Sequence, residues 1–248
     1  MKQLLYLFLI AGTLLPVQAA DTYSNANSAY EKGQYDEAVT LYHQLLEEEG
    51  EAAVVHYNLG NAYFKQSQYG KAILHYEKAL QLDRKMNDAK FNLDIANSRI
   101  RDKMEPIQQP ILYIFWYNIT RLLYPHQWAL LALIGGWVAL GGGILFVLKR
   151  HTPLRRTAVY TILYAGILTV MLAAIAWSAE AMEQQQAAGI IMEPTVILKS
   201  EPSENSTNLF ILHEGLKLRI LDTDNDWLYV AMPDGNLGWV RSATIARI

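Results

Sequence analysis

The sequence predicts a multidomain membrane protein with three architectures in series: an all-α helical solenoid, a two-helix transmembrane hairpin and an all-β small barrel. Three observations carry this reading. Side-chain types recur at a fixed period between Asp21 and about Met104. Two runs, Trp128–Leu148 and Ala158–Ser178, each hold 21 residues without a charge. Beyond Ala187, short β-branched and aromatic segments alternate with turn residues.

Composition narrows the function classes. The 248 residues carry a net charge of −3, which gives no electrostatic case for nucleic acid. The 52% hydrophobic content averages a very apolar middle with ordinary flanks. There is no cysteine, so disulfides, thiolate metal sites, cysteine nucleophiles and thiol-based redox sensing are excluded. Methionine oxidation stays open.

Residues 1–19 read as a secretory signal. Lys2 supplies the positive start, Leu4–Leu15 the apolar core and Val17-Gln18-Ala19 a small-x-small cleavage site, with the mature chain starting near Ala20. An uncleaved anchor is the alternative, and the core is short for spanning. Either way the next segment is exported.

Residues 20–105 hold about two and a half repeats. A shift of one period aligns Tyr23, Tyr57 and Phe91; Asn58 and Asn92; Asn27 and Asn61; Tyr35 and Tyr69; Ala38 and Ala72; Tyr42 and Tyr76. Paired amphipathic helices at this period, about 34 residues, resemble tetratricopeptide repeats. The match is clearest over Tyr57–Tyr63 with Tyr69, Ala72, Tyr76 and Ala79. Small residues at Gly60, Ala72 and Ala79 let the two helices approach. The first copy is weaker, with Ala26 and Ala29 in place of Gly60 and Tyr63. Arg84 stands where the repeat usually has proline. A third first-helix through Phe91, Asn92, Leu93 and Ala96 is expected to run on to Met104 as a solvated cap.

Residues 106–127 form a linker that Pro106 and Pro110 open, followed by an aromatic-rich helix, Ile111–Tyr124, suited to the headgroup region. A third span is rejected there, because the segment is too short and, with Asn118, Thr120 and Arg121, too polar. The spans 128–148 and 158–178 each suffice for a core of about 30 Å. The loop between them, 149–157, carries Lys149, Arg150, Arg155 and Arg156 without an acid, which marks the cytoplasmic side. Gly135, Ala139 and Gly143 on one span, and Ala165, Thr169 and Ala173 on the other, are expected to form the contact faces. Neither span holds an ionisable residue, so an ion path has no support.

After a linker, 179–186, residues 187–248 read as strands Thr195–Lys199, Leu209–Leu212, Leu216–Leu221, Trp227–Ala231, Leu237–Arg241 and Thr244–Ile248. The spacing predicts a small barrel. Glu214-Gly215, Asn225-Asp226-Trp227, Asp234-Gly235 and the closing Gly238-Trp239-Val240 resemble a bacterial SH3-type domain.

No catalytic constellation emerges. Asp222, Asp224 and Asp226 match the opening of a calcium loop, but Trp227 and Pro233 occupy its glycine and glutamate positions. The six histidines have neither metal-ligand nor acid-paired spacing, and His56 and His75 read as packing residues on repeat helices. No metal or cofactor site is expected, and no enzyme. The binding candidates lie on the inner repeat face: Tyr23, Asn27, Tyr57, Asn58, Asn61, Phe91 and Asn92, where amides pair with peptide backbone and rings give contact area. Several are near consensus for the repeat and therefore equally explained by packing. Families that clamp a C-terminal carboxylate add lysines where this chain has Tyr23 and Asp88. In the barrel, Trp227 and Tyr229 are groove candidates for a peptide or glycan, with Trp239 assigned to the core.

The order signal, repeats, two spans and SH3-type barrel resembles the BatE-type proteins of the Bacteroides aerotolerance operon. That resemblance implies a non-enzymatic scaffold at the bacterial inner membrane, with repeats and barrel on the periplasmic side. It implies von Willebrand A-domain membrane proteins as partners and, indirectly, a MoxR-type AAA+ ATPase. The alternative is an envelope sensor that binds peptidoglycan through its barrel.

Overall fold

The computed structural model describes residues 17–104, 107–148, 154–184 and 187–248. The signal segment expected at 1–19 lies outside them except for Val17–Ala19, which begin the first helix. The chain divides into two compact units, one of Met1–Pro106 with Ala187–Ile248 and one of Ile107–Gln186.

The first unit opens with helices α1 (Val17–Glu31), α2 (Tyr35–Glu49), α3 (Ala53–Lys65), α4 (Tyr69–Leu82) and α5 (Asn87–Asn97). They pair as α1 with α2 and α3 with α4, and α5 stacks on α4. Small residues set the approach. A Cβ on Gly60 would stand 2.7 Å from the Tyr76 ring, so glycine lets α4 seat that ring against α3. Tyr42 and Tyr76 are both 1% exposed, with Leu59 and Ile73 fully covered between the helices. The left-handed Gly33 (φ 78°) and Ser67 (φ 61°) end the first helix of each pair, one repeat period apart.

The expected helix to Met104 stops at Asn97. The Ser98 and Arg99 N–H groups close the last turn on Asp94, Ile95 and Ala96 carbonyls, and the chain then runs irregularly. Alternate side chains turn to the protein while Arg99, Arg101 and Lys103 stay exposed: Ile100 packs on the repeat core and Met104 on the core of the sheet.

The sheet has seven antiparallel strands, β1 (Ala188–Ile191), β2 (Thr195–Lys199), β3 (Asn208–His213), β4 (Lys217–Asp224), β5 (Trp227–Ala231), β6 (Leu237–Arg241) and β7 (Ile245–Arg247). Their order is β3-β2-β6-β5-β4-β1-β7. The barrel expected from strand spacing is therefore an open sheet: among the described residues β3 pairs only with β2, and β7 only with β1. Strand β1, Ala-Gly-Ile-Ile, is not among the expected strands: it is buried throughout and so does not alternate. The predicted turn at Asp222–Asp226 shrinks to Asn225-Asp226, with Asn225 left-handed at φ 50°, because Asp222 and Asp224 pair with Tyr229 and Trp227. Leu198, Leu212, Leu218, Leu228, Val230 and Val240 form the sheet's core.

Repeats and sheet are one body. Ile190 is fully covered within the repeat core, and Met192, Ala246 and Ile248 pack against the same cluster. Gly215, at φ 90°, has no room for a side chain, since a Cβ would lie 2.5 Å from Ile100 and 3.3 Å from Ile73. Asp102 fastens the segment after α5 to the sheet. Its Oδ2 accepts the His213 backbone N–H at 2.6 Å and its Oδ1 contacts His213 Nδ1 at 2.7 Å. Lys217 Nζ donates to Glu77 at 2.8 Å. The apolar end of the stack is thus closed by β-structure, where a solvated helical cap was expected.

The second unit comprises α6 (Ile111–Thr120), α7 (Pro125–Leu148) and α8 (Leu154–Gln184). Two helical stretches, Pro125–Leu148 and Arg155–Met182, are long and apolar enough to cross a membrane. Their contact face differs from the four-residue spacing expected. Gly135 meets Thr169, and Gly142 meets Thr161 and Ile162, whereas the Cβ direction of Gly143 is open. With Trp128 and Ala132 also buried, the seam steps by alternating threes and fours. Trp128 Nε1 donates to the Thr120 carbonyl at 3.3 Å, tying α6 to α7. Of the basic loop, 149–153 lies outside the described residues; Arg155 stands over the Phe146 ring at 4.7 Å.

Candidate functional site

The predicted inner-face residues come together as a repeating hydrogen-bond array. Asn27 Oδ1 accepts from Tyr42 OH at 2.6 Å and from Asn58 Nδ2 at 3.2 Å, and Asn58 Nδ2 also reaches Tyr23 OH at 3.1 Å. One repeat later, Asn61 Oδ1 accepts from Tyr76 OH at 2.7 Å and from Asn92 Nδ2 at 2.8 Å, and Asn92 Nδ2 approaches Tyr57 OH at 3.4 Å. Each asparagine pair links the first helix of one repeat to that of the next. The amides read as ligand-binding groups are thus already engaged in stacking the repeats.

The array also encodes its own end. Phe91 falls one period after Tyr57, without a hydroxyl, and Ile95 falls one period after Asn61, without an amide. Among the described residues no further repeat helix follows α5 to supply a donor, and both positions are apolar. Phe91 is 66% exposed.

A recess of about 270 Å³ opens beside these residues, lined by Tyr57, Phe64 and Ile95 together with Asn61, Asn92 and Lys65. Burial pushes the Tyr42 hydroxyl up to about 12 and raises Tyr76 and Tyr30 as well, so all three stay protonated donors. The surface therefore offers mainly neutral hydrogen bonding and aromatic contact, with Lys65 as the cation among the recess's lining residues.

On the sheet, Tyr229 and Trp239 pack with centroids 5.0 Å apart and planes tilted by 37°, and Arg241 covers Trp227 at 4.7 Å. Trp239 is half-buried on the sheet's outer face, not in the core, because it pairs across β5 and β6 with Tyr229. Trp227 is 8% exposed beneath the Arg241 guanidinium, which leaves the Tyr229–Trp239 pair as the accessible part of the predicted groove.

Sequence reading missed a histidine cluster. His75 lies between the Tyr63 and His56 rings, with centroids at 5.4 and 5.2 Å, and His43 stands edge-on to it at 5.7 Å. His56 Nδ1 and His75 Nδ1 are 3.0 Å apart, His56 Nε2 meets the Glu51 carboxylate, and His43 Nε2 is 2.9 Å from Tyr63 OH. An ionised Glu51 accepts only, so Nε2 of His56 carries a proton; with His56 neutral, His75 donates from Nδ1. Desolvation lowers all three imidazoles, His75 to about 3. His56 and His75 sit on different helices, and their spacing in the sequence has meaning only once α3 and α4 are paired. Among the described residues no group of three or more His, Cys, Asp or Glu could hold a metal ion.

The tetratricopeptide repeat family matches residues 53–86, and a further TPR repeat family matches 26–67. The chain carries tetratricopeptide repeats. Their fold is a typical non-catalytic protein-interaction scaffold, and no enzymatic family is indicated. No curated protein matches the chain. Among solved structures it is similar to the Sgt2 TPR domain from Aspergillus fumigatus, at 27% identity over 33% of this chain and 54% of that one, with a TM-score of 0.32. It spans about half of that domain. It is also similar to the second TPR domain of human RPAP3, solved with an HSP70 peptide, at 15% identity, 60% and 95% coverage and a TM-score of 0.32. A TPR repeats protein from Bacteroides fragilis matches at 13% identity, 68% and 97% coverage and a TM-score of 0.27.

Proposed function

We propose that this chain is a membrane-anchored, non-enzymatic scaffold whose repeat groove holds an extended segment of a protein partner. The observation that carries the reading is the open end of the groove: Phe91 exposed, and beside it a recess lined by Ile95, Tyr57 and the neutral Asn61 and Asn92 amides, with Lys65 as its cation. A partner segment with apolar side chains and free backbone amides fits that surface better than an acidic terminus does.

Packing of the repeats with the sheet supports a two-span anchor. Both ends of 107–186 lead into one body, so a segment that spans must cross an even number of times. Helices α7 and α8 meet this requirement, and a third span in α6 does not. In this reading repeats and sheet share the periplasmic side of a bacterial inner membrane, the sheet is an SH3-type domain, and the partners are A-domain membrane proteins in an aerotolerance-linked complex served by a MoxR-type ATPase.

Asn58 and Asn61 are poor probes of the groove, since changing them unstacks the repeats. Phe91→Glu is the better variant: it touches no hydrogen bond of the array and sits on the open face. We expect it to abolish co-purification of an A-domain partner from crosslinked membranes while the circular dichroism stays that of wild type. Undiminished capture would place binding elsewhere.

A further inference from the structure

We propose that Arg99, Arg101 and Lys103 form a pre-set row of cations that docks on anionic phospholipid headgroups. The row lies in the segment after α5, where Ile100, Asp102 and Met104 turn to the protein and the three bases stay exposed. Its backbone is fixed from beneath. The Arg99 N–H donates to the Ala96 carbonyl at 2.9 Å, and Ile100 packs against Gly215. Asp102 holds the His213 N–H and ring, and Met104 joins the sheet core. Ordered chain, not a free tail, therefore presents the three charges.

Those charges are also unmatched. Among the described residues none of the three has an ion-pair partner, whereas Arg241 is held by Glu204 and Lys217 by Glu77. The acid inside the row, Asp102, is committed to His213. The repeats are polarised in the same sense: residues 21–51 hold eight acids against one base, and residues 84–104 hold six bases against three acids. An anionic surface attracts the end of the repeats that carries the row and repels the other.

The chemistry of the row favours lipid over protein as the occupant. Its inward-facing neighbours leave charge on the surface without an apolar side chain to bury, and protein partners are held mainly by buried aromatic and apolar anchors. A headgroup layer supplies mobile phosphates, which guanidinium and ammonium groups meet with charge-assisted hydrogen bonds. The covalent connection points the same way. Lys103 precedes Ile111, the first residue of α6, by eight positions, a reach of at most about 29 Å. In the membrane-anchored reading, on which this inference rests, that linker keeps the row near a bilayer, whose negative charge attracts each base within a Debye length of about 8 Å.

The chain has no cysteine, so one introduced thiol carries one fluorophore. The full-length chain, labelled at Ser98→Cys beside the row or at Ser24→Cys on the first repeat, is reconstituted into phosphatidylcholine vesicles with and without phosphatidylglycerol. Quenching by a nitroxide lipid at headgroup depth is the readout. Phosphatidylglycerol should raise quenching of the Ser98→Cys label about twofold or more and leave the Ser24→Cys label unchanged. The gain should vanish near 1 M salt, where the Debye length is about 3 Å. Changing Arg99, Arg101 and Lys103 together to Gln should remove it with the circular dichroism unchanged. Inorganic phosphate at matched ionic strength should not compete; if it did, the row would be a free-anion site and the proposal wrong. A gain that survives the triple change would overturn it as well. So would equal quenching in both lipids from a chain that floats with the vesicles after an alkaline wash, a result that leaves the anchor standing; polyglutamate binding to the row would then make an acidic protein the occupant. A chain that the wash strips from the vesicles would sink the anchored reading and the proposal with it.

Discussion

At the residue scale the asparagines and tyrosines of the groove divide into two roles. Asn61 accepts from both Tyr76 and Asn92, and Tyr76 is buried, so removing its amide leaves a covered hydroxyl without an acceptor. Asn61→Leu should cost about 1–3 kcal/mol of stability, read as a lowered denaturant midpoint. Phe91→Ala removes an exposed ring and should stay within about 0.5 kcal/mol of wild type. Equal losses from both would contradict the division. The histidine cluster fixes a pH dependence. All three imidazoles titrate below the unfolded value of about 6.5, so the unfolded chain binds more protons as pH falls. Stability is complete above about pH 6.5 and declines below it, down to about 3 where His75 charges. Urea midpoints at about pH 7, 6 and 5 should fall in that order, and His75→Phe should flatten the trend. The repeat period made the aligned asparagines legible in the sequence. That they bond to one another was not, because the donor of each pair lies in the next repeat, on another helix.

At the scale of elements, strand positions followed from alternation and turn residues wherever one face is buried. Strand β2, with Val196 and Leu198 inward and its neighbours outward, alternates and was read to the residue; β1, buried throughout, does not alternate and was missed. The helical cap failed for a related reason. Residues 98–104 have a helix-compatible composition, and the contacts that redirect them are non-local: Ile100 against Gly215, Asp102 on His213 and Met104 on the sheet core. The junction these residues make is sterically exacting at Gly215. Gly215→Ala adds a methyl against Ile100 at a left-handed backbone position, and should lower stability by about 1–2 kcal/mol or more. Wild-type stability in that variant would show that the junction is loose.

At the scale of the whole molecule, three segments read as separate domains resolve into two units, because the sheet completes the core of the repeats. Ala246 and Ile248 lie at the far end of the sequence and pack against the same cluster as residues of α1 to α5. Deleting residues 245–248 should therefore destabilise the repeats as well as the sheet. Hydrogen exchange would report this as lost protection in α4 and α5, and protection retained there would mean that the repeats stand alone. Both ends of 107–186 join the unit formed by repeats and sheet, so in the proposed scaffold the groove and the sheet belong to one packed body. The measurement that tests this most directly is photo-crosslinking in intact membranes from a reactive residue placed at Phe91, with a second at Tyr229 for comparison, followed by mass spectrometry of the adducts. Membrane proteins with A-domains crosslinked at Phe91 are the expected result. Adducts confined to Tyr229 and consisting of peptidoglycan fragments would contradict it, and would make the sheet the binding end and the repeats a spacer.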